Sequence, residues 1–528
     1  MIHLIYRKFG NRLHTKDDIL SGLTVALALV PEAVAFAIIA GVPPLVGLYA
    51  AFMVCLITAV AGGRPGMISG ATGALAVIMV GLVKLGNERG VELGLGENAG
   101  LQYLFAAVIL MGLIQVGCGA MRLGRFIRLI PQPVMFGFVN GLAIVIFQAQ
   151  FPMFTGAPTE PGAAWLSGSA LYLMLGLVAL TMFIIQFLPK LTTQVPSSLV
   201  AIVTVSLIVI GCQLDTLVVG NMSAIGGGLP SLVQFNIPLD WDTFQFILPF
   251  SIILAAVGLI ESLMTLTLID ELTETRGQSN RECVGQGLAN VVTGFFGGMG
   301  GCAMIGQSII NIRSGGRGRL SGIAAGSFLL IFILFASPLI ERIPLAALTG
   351  VMFMVVIGTF EWSSFRILRK IPKTDAFVLV LVSGVTVVTH NLALAVISGV
   401  IVSALAFAWK SAHHIHRSSE TRKDGVKVYY LHGPLFFGSA TEFSNEFKPA
   451  SDPEEVIIDF KDSRVWDHSG LDAISKLADR YRAAGKILHL QHISPNCREL
   501  LKKADSMVDV ILLPDDPTYH VANIKVPE

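Results

Sequence analysis

The residues best suited to chemistry are two carboxylates inside apolar segments. Glu261 falls in the apolar stretch 245–269, and Glu32 follows Pro31 in the first apolar stretch. A carboxylate near the centre of a membrane span is costly unless it faces a cavity or a partner, so we predict a functional role for Glu261. The alternative for Glu261 is a protonated acid hydrogen-bonded within a helix bundle. Glu32 either joins the same site or bonds to the backbone that Pro31 leaves open.

Thr265 supports an ion-coupling role for Glu261. It follows Glu261 by four residues, so it lies one helical turn further on the same face. Its hydroxyl would add an oxygen ligand beside the carboxylate. We therefore predict that Glu261 and Thr265 belong to an ion-coupling site.

Two glycine-rich breaks precede short apolar segments. The break at 62–73 leads into the segment 72–84, and the break at 297–306 leads into 303–312. Both segments are too short to cross ~30 Å of hydrocarbon as continuous helices. Each takes the third place in a set of seven apolar segments, and because seven is odd the second set must be inverted. Such interrupted spans at matching places of an inverted repeat indicate a binding site near the middle of the membrane.

The two facing helix starts suit an anion, because each presents backbone N–H groups and a positive dipole end. Thr72 and Ile305 are the equivalent positions, and Thr72 adds a hydroxyl where Ile305 offers only its backbone. Helix capping is the alternative for Ser69 and Thr72. The predicted substrate-binding residues are Ser69, Thr72, Gly73, Ile305, Gly306, Gln307, Glu32 and Phe36.

Composition predicts a mainly α-helical integral membrane protein. Only 14% of the residues are charged and 53% are hydrophobic, whereas a soluble chain carries roughly a quarter charged residues. Apolar segments recur from about residue 18 to residue 412. We expect a cytoplasmic N-terminal segment at 1–18 and a transmembrane domain at 19–412, with one repeat at about 19–212 and the second at about 245–412. The fourteen predicted spans are about 20–39, 44–61, 72–84, 101–120, 128–150, 169–188, 197–212, 245–269, 281–297, 303–312, 320–337, 344–363, 374–390 and 392–410.

Residues 413–528 have an ordinary soluble composition and predict a small α/β domain, because strand and helix patterns alternate there. The predicted strands are 425–431, 432–438, 454–460, 486–491 and 508–512, and the predicted helices are 439–448, 468–484 and 494–504.

The distribution of charge and the sequence motifs argue against several classes of function. Alternate connections between spans are rich in basic residues such as Arg64, Arg317 and Arg319, a pattern that places both termini in the cytoplasm. A net charge of +1 argues against nucleic acid as a partner. The six cysteines form no CxxC pair, so neither a zinc site nor a disulfide framework is indicated. The sequence carries no P-loop, dinucleotide fingerprint or hydrolase motif, which argues against an enzyme or an ATP-driven pump.

Three motifs in the right order resemble one family. PEAVAFA at 31–37, with AGVPP at 40–44 and GLYA at 47–50, is similar to the signature of the SulP (sulfate permease) anion transporters. The stretches 278–282 and 314–322 resemble the second half of that family. GPLFFG at 433–438 resembles the start of a STAS domain.

The resemblance implies a uracil-permease-like fold, in which a core domain and a gate domain form a seven-plus-seven inverted repeat. It also implies a homodimer and a cytoplasmic STAS domain, which is a candidate site for a cytoplasmic partner. By motif match, Thr72 falls where the family contacts its anion. Glu261 and Thr265 fall at sodium ligands of cyanobacterial bicarbonate carriers, and the remaining ligands of that site fall at Ala303, Met304 and Ile305.

Two departures bear on the coupling ion. Those carriers have Asp at the position of Glu261 and a hydroxyl residue at that of Ile305, so one sodium ligand is lost here. A glutamate alone suits a proton. Glu32 also departs from the Gln of many members. In the STAS segment, Asp467–Gly470 resembles a phosphorylation motif with Ser469 at the modified position, and helix N-capping by Ser469 is the alternative.

We predict a secondary active transporter of a small inorganic oxyanion, sulfate or bicarbonate, across the inner membrane. Proton symport, sodium symport and anion exchange stay open, and no cofactor is expected beyond a coupling ion, Na⁺ or H⁺. The alternatives are a C4-dicarboxylate or nucleobase carrier, or a membrane-anchored STAS regulator without transport.

Overall fold

The computed structural model describes residues 12–96, 98–125, 131–156, 163–192, 196–222, 228–238, 240–389, 392–423, 425–493 and 511–512. The chain divides into two compact units, Met1–Val400 and Ile401–Glu528.

The first half of the membrane unit is a run of helices interrupted by one very short strand. Its elements are α1 (Arg12–Ile39), α2 (Pro44–Ala61), β1 (Ser69–Gly70), α3 (Gly73–Glu92), α4 (Ala99–Ala120), α5 (Gln132–Gln148), α6 (Gly168–Leu191), α7 (Ser197–Gly211) and α8 (Val219–Met222).

The second half repeats this order of helices around a second short strand. Its elements are α9 (Trp241–Thr273), α10 (Ser279–Phe295), β2 (Cys302–Ala303), α11 (Ile305–Arg313), α12 (Arg319–Phe335), α13 (Ser337–Glu341), α14 (Leu345–Thr359), α15 (Ser363–Ile367), α16 (Lys373–Thr389) and α17 (Leu392–Ala412). The last helix, α17, crosses the boundary between the two units at Val400.

Within the described residues, eight helices are long and apolar enough to cross a membrane. The prediction of a mainly helical, multi-pass membrane protein is therefore confirmed.

One predicted span is wrong in length. The segment expected at 72–84 forms a helix of 20 residues, α3, which continues to Glu92. The charged residues Lys84, Glu88 and Glu92 favour a loop after residue 84, but they form the polar end of this helix, since Lys and Glu are good helix formers. Arg89 lies over the ring of Phe246, 5.0 Å from its centroid, and so joins this end to α9. The second short span keeps its predicted length, because α11 has 9 residues.

Glycines bring α4 and α10 into backbone contact. A Cβ at Gly112 would stand 2.5 Å from the carbonyl oxygen of Gly287, and one at Gly287 would stand 2.6 Å from that of Gly112. Small residues at such positions let membrane helices approach closely and pack over a long interface. The pair α4–α10 is thus built as one body beside β2.

The second unit is a five-stranded sheet with helices. Its elements are β3 (His416–Thr421), β4 (Lys427–Leu435), α18 (Ala440–Asn445), β5 (Glu455–Val465), α19 (His468–Ala483), β6 (Ile487–Gln491) and β7 (Ile511–Leu512). The strand order is β3-β4-β5-β6-β7, with β3 antiparallel to β4 and the others parallel. The predicted small α/β domain is confirmed.

Two strand predictions in this unit differ from the structure. Strand β3 was not predicted, because its sequence HRSSET is polar and its side chains are mostly exposed at the sheet edge. The strands predicted at 425–431 and 432–438 form one strand, β4. The helix predicted at 494–504 lies outside the described residues.

A buried carboxylate joins β4 to α19 in the core of this unit. Asp452 accepts hydrogen bonds from Lys427 Nζ (2.8 Å), Tyr429 OH (2.7 Å) and Tyr481 OH (2.5 Å). Burial alone would raise the pKa of Asp452, but the hydrogen bonds from Lys427, Tyr481 and Tyr429 outweigh it, so its pKa lies below the ordinary value.

The α4–α10 contact predicts a sharp difference between two glycines of one helix. Gly112→Val should lower the thermal midpoint of the detergent-solubilised protein, because overpacking costs about 1–3 kcal/mol. Gly117→Val is the matched control, since no atom outside its own helix backbone lies within 4 Å of a Cβ at Gly117. Equal midpoints for the two variants would contradict the close helix packing.

Candidate functional site

The two glycine-rich breaks meet as a pair of two-residue strands. Strands β1 and β2 run antiparallel, with Ser69 opposite Ala303 and Gly70 opposite Cys302. The pairing is extended by a hydrogen bond from the N–H of Met304 to Ile68 O (2.9 Å). Because the strands are antiparallel, α3 and α11 leave the pair in opposite directions. Their N-termini therefore lie at one place in the membrane unit, as the repeat predicted.

Both helix starts present backbone donors beside this strand pair. The first intrahelical bonds are from Ala76 N to Thr72 O and from Ser308 N to Met304 O, each 3.0 Å. The N–H groups of 73–75 and 305–307 come before these bonds, so they are the unpaired first-turn donors of each helix. Together with the two positive dipole ends, they form an environment that favours negative charge.

The side chain of Thr72 does not cap α3. Thr72 stands at the N-cap position, but its hydroxyl makes no capping hydrogen bond. It lies instead 3.1 Å from the sulfur of Cys302. The Cys302 thiol in turn donates to Glu261 Oε2 at 3.0 Å. A continuous contact thus runs from the start of α3 through β2 to the carboxylate on α9.

Helix α1 contacts both helix starts. Glu32 accepts a hydrogen bond from the side-chain amide of Gln307, in the first turn of α11. Phe36, one turn further along α1, lies against the start of α3: a Cβ at Gly73 would stand 2.9 Å from its Cε1 atom. Four predicted substrate-binding residues, Glu32, Phe36, Gly73 and Gln307, are therefore brought together. Helix α1 continues through Pro31, so this proline does not end the helix beside Glu32.

The two helix starts differ in the space beside them. A Cβ at Gly73 would also stand 2.8 Å from Ile146 Cδ1, so this position is filled by its neighbours. Gly306 is exposed, and no atom outside its helix backbone lies within 4 Å of a Cβ there. Ile305, its neighbour, is half-buried. The open space of the site is therefore on the side of Gly306.

Ser69 faces away from the other predicted substrate ligands. Its hydroxyl accepts a 2.7 Å hydrogen bond from Gln286 Nε2 on α10. Gln286 also donates to Glu282 Oε1 (2.9 Å), and Glu282 Oε2 accepts from the N–H of Gly63 (2.7 Å). This buried chain fastens β1 and the preceding break to α10. Ser69 thus stabilises the strand. Its hydroxyl does not cap α3, and it does not join Thr72 beside Cys302.

The break before β2 is fastened by side chains of α9 and α10. Asn290 accepts from Gly301 N (2.8 Å) and donates to Gly301 O (3.0 Å), so it replaces a strand neighbour for that glycine. It also donates to Gln115 Oε1 on α4 (2.9 Å). Ser262 on α9 accepts from the N–H of Ala303 (3.0 Å). These contacts fix β2 against the α4–α10 body.

The predicted ion-coupling residues lie together, but their polar groups are partly occupied. Thr265 donates its hydroxyl to the carbonyl of Glu261 at 2.8 Å. The N–H groups of Ala303 and Met304 serve Ser262 and Ile68. The Glu261 carboxylate accepts from the thiol of Cys302 and also hydrogen-bonds to the side chain of Thr72. A hard cation prefers several oxygen ligands, and here a sulfur occupies one side of the carboxylate.

Sequence reasoning missed four residues that build the site: Cys302, Ser262, Gln286 and Asn290. For α10 a signal is available, because Glu282, Gln286 and Asn290 recur at intervals of four residues within the predicted span 281–297. For Cys302 the sequence holds no such signal, since a lone cysteine in a glycine-rich break has no periodicity.

Ser469 does not cap α19. The N-cap is Asp467, whose Oδ1 accepts from Gly470 N (2.9 Å) and whose Oδ2 accepts from Phe437 N (2.8 Å). The capping alternative for Ser469 is therefore wrong, because Asp467 precedes it and already satisfies the helix start. Ser469 lies half-buried in the first turn of α19.

The fold and this site define a class: a multi-pass membrane protein with two oppositely directed helix starts, of the inverted-repeat kind used by secondary transporters. Residues 15–382 match the sulfate permease family, and residues 419–514 match the STAS domain. The chain belongs to the sulfate permease family. It is a transporter and not an enzyme.

Similar proteins agree with this assignment. The Bacillus subtilis (strain 168) protein named "Putative sulfate transporter YbaR" is 46% identical over 496 residues, which cover 94% of this chain and 97% of that protein. The bicarbonate transporter BicA of Picosynechococcus sp. is 29% identical, over 85% of this chain and 84% of that protein. The solved transmembrane domain of a cyanobacterial BicA superposes with a TM-score of 0.61 at 28% identity, over 75% of this chain and 98% of that one.

Proposed function

We propose that this chain is a secondary active transporter that carries a small inorganic oxyanion, sulfate or bicarbonate, together with a proton. The observation that carries the proposal is the charge of the site. Two carboxylates, Glu32 and Glu261, stand beside two helix starts that favour an anion. Among the residues that the structure describes, no lysine or arginine side chain hydrogen-bonds to Thr72, Gln307 or either carboxylate.

The anion is proposed to bind on the open side of the site, near Gly306. The first-turn N–H groups of α11 and α3 and the hydroxyl of Thr72 are the donors that an oxyanion requires. Oxyanion sites of this kind use backbone donors and a dipole end in place of a cationic side chain. Sulfate and bicarbonate both fit these donors, and the names of the relatives cover both substrates.

Electrostatic repulsion argues for a coupled cation. Two like unit charges about 6 Å apart repel by ~3 kcal/mol at an effective dielectric constant of about 20. An anion next to an ionised Glu32 or Glu261 would pay such a cost for each carboxylate. Binding a proton at the site removes a charge and the repulsion with it. Anion and proton therefore favour each other's binding, which is the thermodynamic basis of symport.

A proton suits this site better than sodium. Glu261 faces a thiol, and the hydroxyl of Thr265 is bonded to its own helix. Ile305 adds no side-chain oxygen. Sodium symport and anion exchange are the competing outcomes of the experiment below. A nucleobase carrier would read a ring edge with amide and carboxylate groups, but the amide of Gln307 is bonded to Glu32.

We further propose that the protein lies in the inner membrane with both termini in the cytoplasm, and that it forms a homodimer. The transmembrane domain is proposed to end with α17, near residue 412, where the STAS domain begins. The basic connections support the orientation of the termini. The STAS domain would give the transporter a site for a cytoplasmic partner, with Ser469 as the candidate phosphorylation site. Its place in the first turn of α19 favours a phosphate electrostatically.

The test is uptake by purified protein in proteoliposomes with labelled sulfate, bicarbonate and a C4-dicarboxylate, with sodium and pH varied independently. We expect uptake of one inorganic oxyanion, stimulated by an inward proton gradient and indifferent to sodium. Glu261→Gln should abolish the stimulation, because the amide cannot release a proton. Full gradient dependence in Glu261→Gln would contradict the coupling role of Glu261. Uptake that requires sodium would contradict the choice of proton.

The position of the anion is tested by Gly306. Gly306→Val should raise the KM for the transported oxyanion about tenfold or more, because its side chain would fill open space at the proposed site and displace an interaction of about 1.5 kcal/mol. The thermal midpoint should change little, as no neighbour is displaced. The matched control is Gly117→Val, which adds the same side chain to α4 where it meets no neighbour. An unchanged KM in Gly306→Val would place the anion elsewhere.

A further inference from the structure

A cavity of about 600 Å³ lies among three connections of the membrane unit that the proposed function does not use. Its walls are the break before β1, the end of α9 with the turn that follows, and the end of α11 with the connection that follows. The candidate site is at the N-terminus of α11, so this cavity lies at the opposite end of that helix. Its volume is typical of small-molecule ligand sites.

Three arginines from three different connections line this cavity. Arg64 belongs to the break before β1, Arg276 follows α9, and Arg317 follows α11. Arg276 and Arg317 are exposed, and among the described residues neither side chain forms an ion pair. The charges of Arg64 and Arg317 are close enough to repel each other. The acid in the lining is Glu274, so three positive charges face one negative charge.

Arg64 is a buried guanidinium group that is held on one side only. Just 5% of its side chain is exposed, and its Nε lies 3.0 Å from Asp270 Oδ1. Its Nη2 contacts Ile269 O (3.0 Å), Thr275 Oγ1 (2.9 Å) and the hydroxyl of Thr273. The other terminal nitrogen, Nη1, makes no hydrogen bond to any residue that the structure describes. Its N–H groups are therefore left for an anion in the cavity, at a position that α9 fixes.

The rest of the lining is partly apolar and indicates a ligand larger than an inorganic ion. Pro65, Leu272 and Ile312 contribute to the wall, and Leu272 is 51% exposed although it is a large apolar side chain. A sulfate or phosphate ion would fill only a small part of the cavity and leave these side chains uncovered. A ligand that joins an anionic group to an organic group would contact both kinds of wall.

We propose that this cavity is a binding site for an organic phosphate. The three arginines hold the phosphate, and its organic group lies against the three apolar side chains. Guanidinium groups bind phosphate in bidentate geometry, and a phosphate monoester carries about −1.5 to −2 charges at pH 7, which matches the net charge of the lining. In the orientation proposed above, the cavity faces the cytoplasm. A soluble phosphate ester and a phospholipid headgroup share this chemistry.

The experiment measures equilibrium binding to the full-length protein in detergent, without sulfate or bicarbonate in the buffer. The probes are adenosine monophosphate (AMP), adenosine and inorganic phosphate. AMP should bind about tenfold more tightly than either of the others, because it alone engages both the arginines and the apolar wall. If adenosine or inorganic phosphate binds as tightly as AMP, or if none of the three binds, the proposal is wrong.

Three arginine variants locate the bound phosphate. Arg276→Gln and Arg317→Gln should each weaken AMP binding about tenfold, the size expected for one lost hydrogen bond to a charged group. Both side chains are exposed, so the thermal midpoint without ligand should stay unchanged. Arg313→Gln is the matched control, since Arg313 is exposed at the end of α11 but does not line the cavity. Equal weakening in all three variants would show attraction by general surface charge and would overturn the site.

Gly306→Val separates this cavity from the anion site of the proposed function. The variant should bind AMP as wild type does, because Gly306 is at the other end of α11. Loss of AMP binding in Gly306→Val, with none in Arg276→Gln, would place the phosphate in the candidate site and overturn the inference. If wild type transports no anion but binds AMP through Arg276 and Arg317, only the proposed function fails.

A lipid comparison identifies the source of the phosphate. AMP binding is measured in phosphatidylcholine nanodiscs with and without phosphatidic acid. Phosphatidic acid that weakens AMP binding in Arg313→Gln but not in Arg276→Gln would support the site and identify a lipid headgroup as its ligand. AMP binding that is indifferent to phosphatidic acid would support a soluble phosphate ester. Equal weakening in Arg313→Gln and Arg276→Gln would contradict binding of the phosphate by Arg276.

Discussion

Two strands of two residues each hold the starts of α3 and α11 together, and the site contacts are built on that pairing. The strands are antiparallel, so the helices run apart while their positive ends stay adjacent. A strand pair this short is not stable alone. Asn290, Ser262 and Gln286 supply the missing neighbours, and each of them comes from a helix packed behind the strands. The glycines of α4 and α10 allow that packing.

The same architecture explains how a site for an anion tolerates two acids. Glu32 and Glu261 lie on different helices, α1 and α9, and each is bonded to a neutral donor that belongs to β2 or α11. Neither carboxylate is neutralised by a basic side chain in these contacts. In the proposed function, the positive charge comes from the helix ends and from a proton, and the proton binds together with the anion. Under that proposal, coupling follows from the charge balance and requires no set of metal ligands.

Much of this arrangement could be predicted from the sequence, because it depends on patterns that repeat. The glycine breaks, the odd number of spans and the buried Glu261 suffice to predict two facing helix starts with an acid beside them. The predicted length of α3 is wrong, since hydropathy detects where apolar residues end and not where the helix ends. Strand β3 was missed for the related reason that an exposed edge strand has no apolar face.

What the sequence could not show are contacts between single residues far apart in the chain. Arg319 counted only as a loop charge, yet its guanidinium donates to the carbonyls of Ala59, Val60 and Gly62 at the end of α2. Arg64 is also a loop charge in the sequence, and the structure buries it with its Nε 3.0 Å from Asp270 Oδ1. Cys302 gave no signal at all. Such contacts depend on three-dimensional packing, and they leave no periodic pattern by which a single sequence would reveal them.

Proton coupling is tested most directly by the movement of protons with the anion. Proteoliposomes that contain a pH-sensitive dye would be given an inward sulfate gradient, without sodium and without an initial pH gradient. Proton symport predicts that the lumen acidifies in step with sulfate entry, because each anion brings a proton bound at the site. Sulfate entry at a constant luminal pH would contradict it.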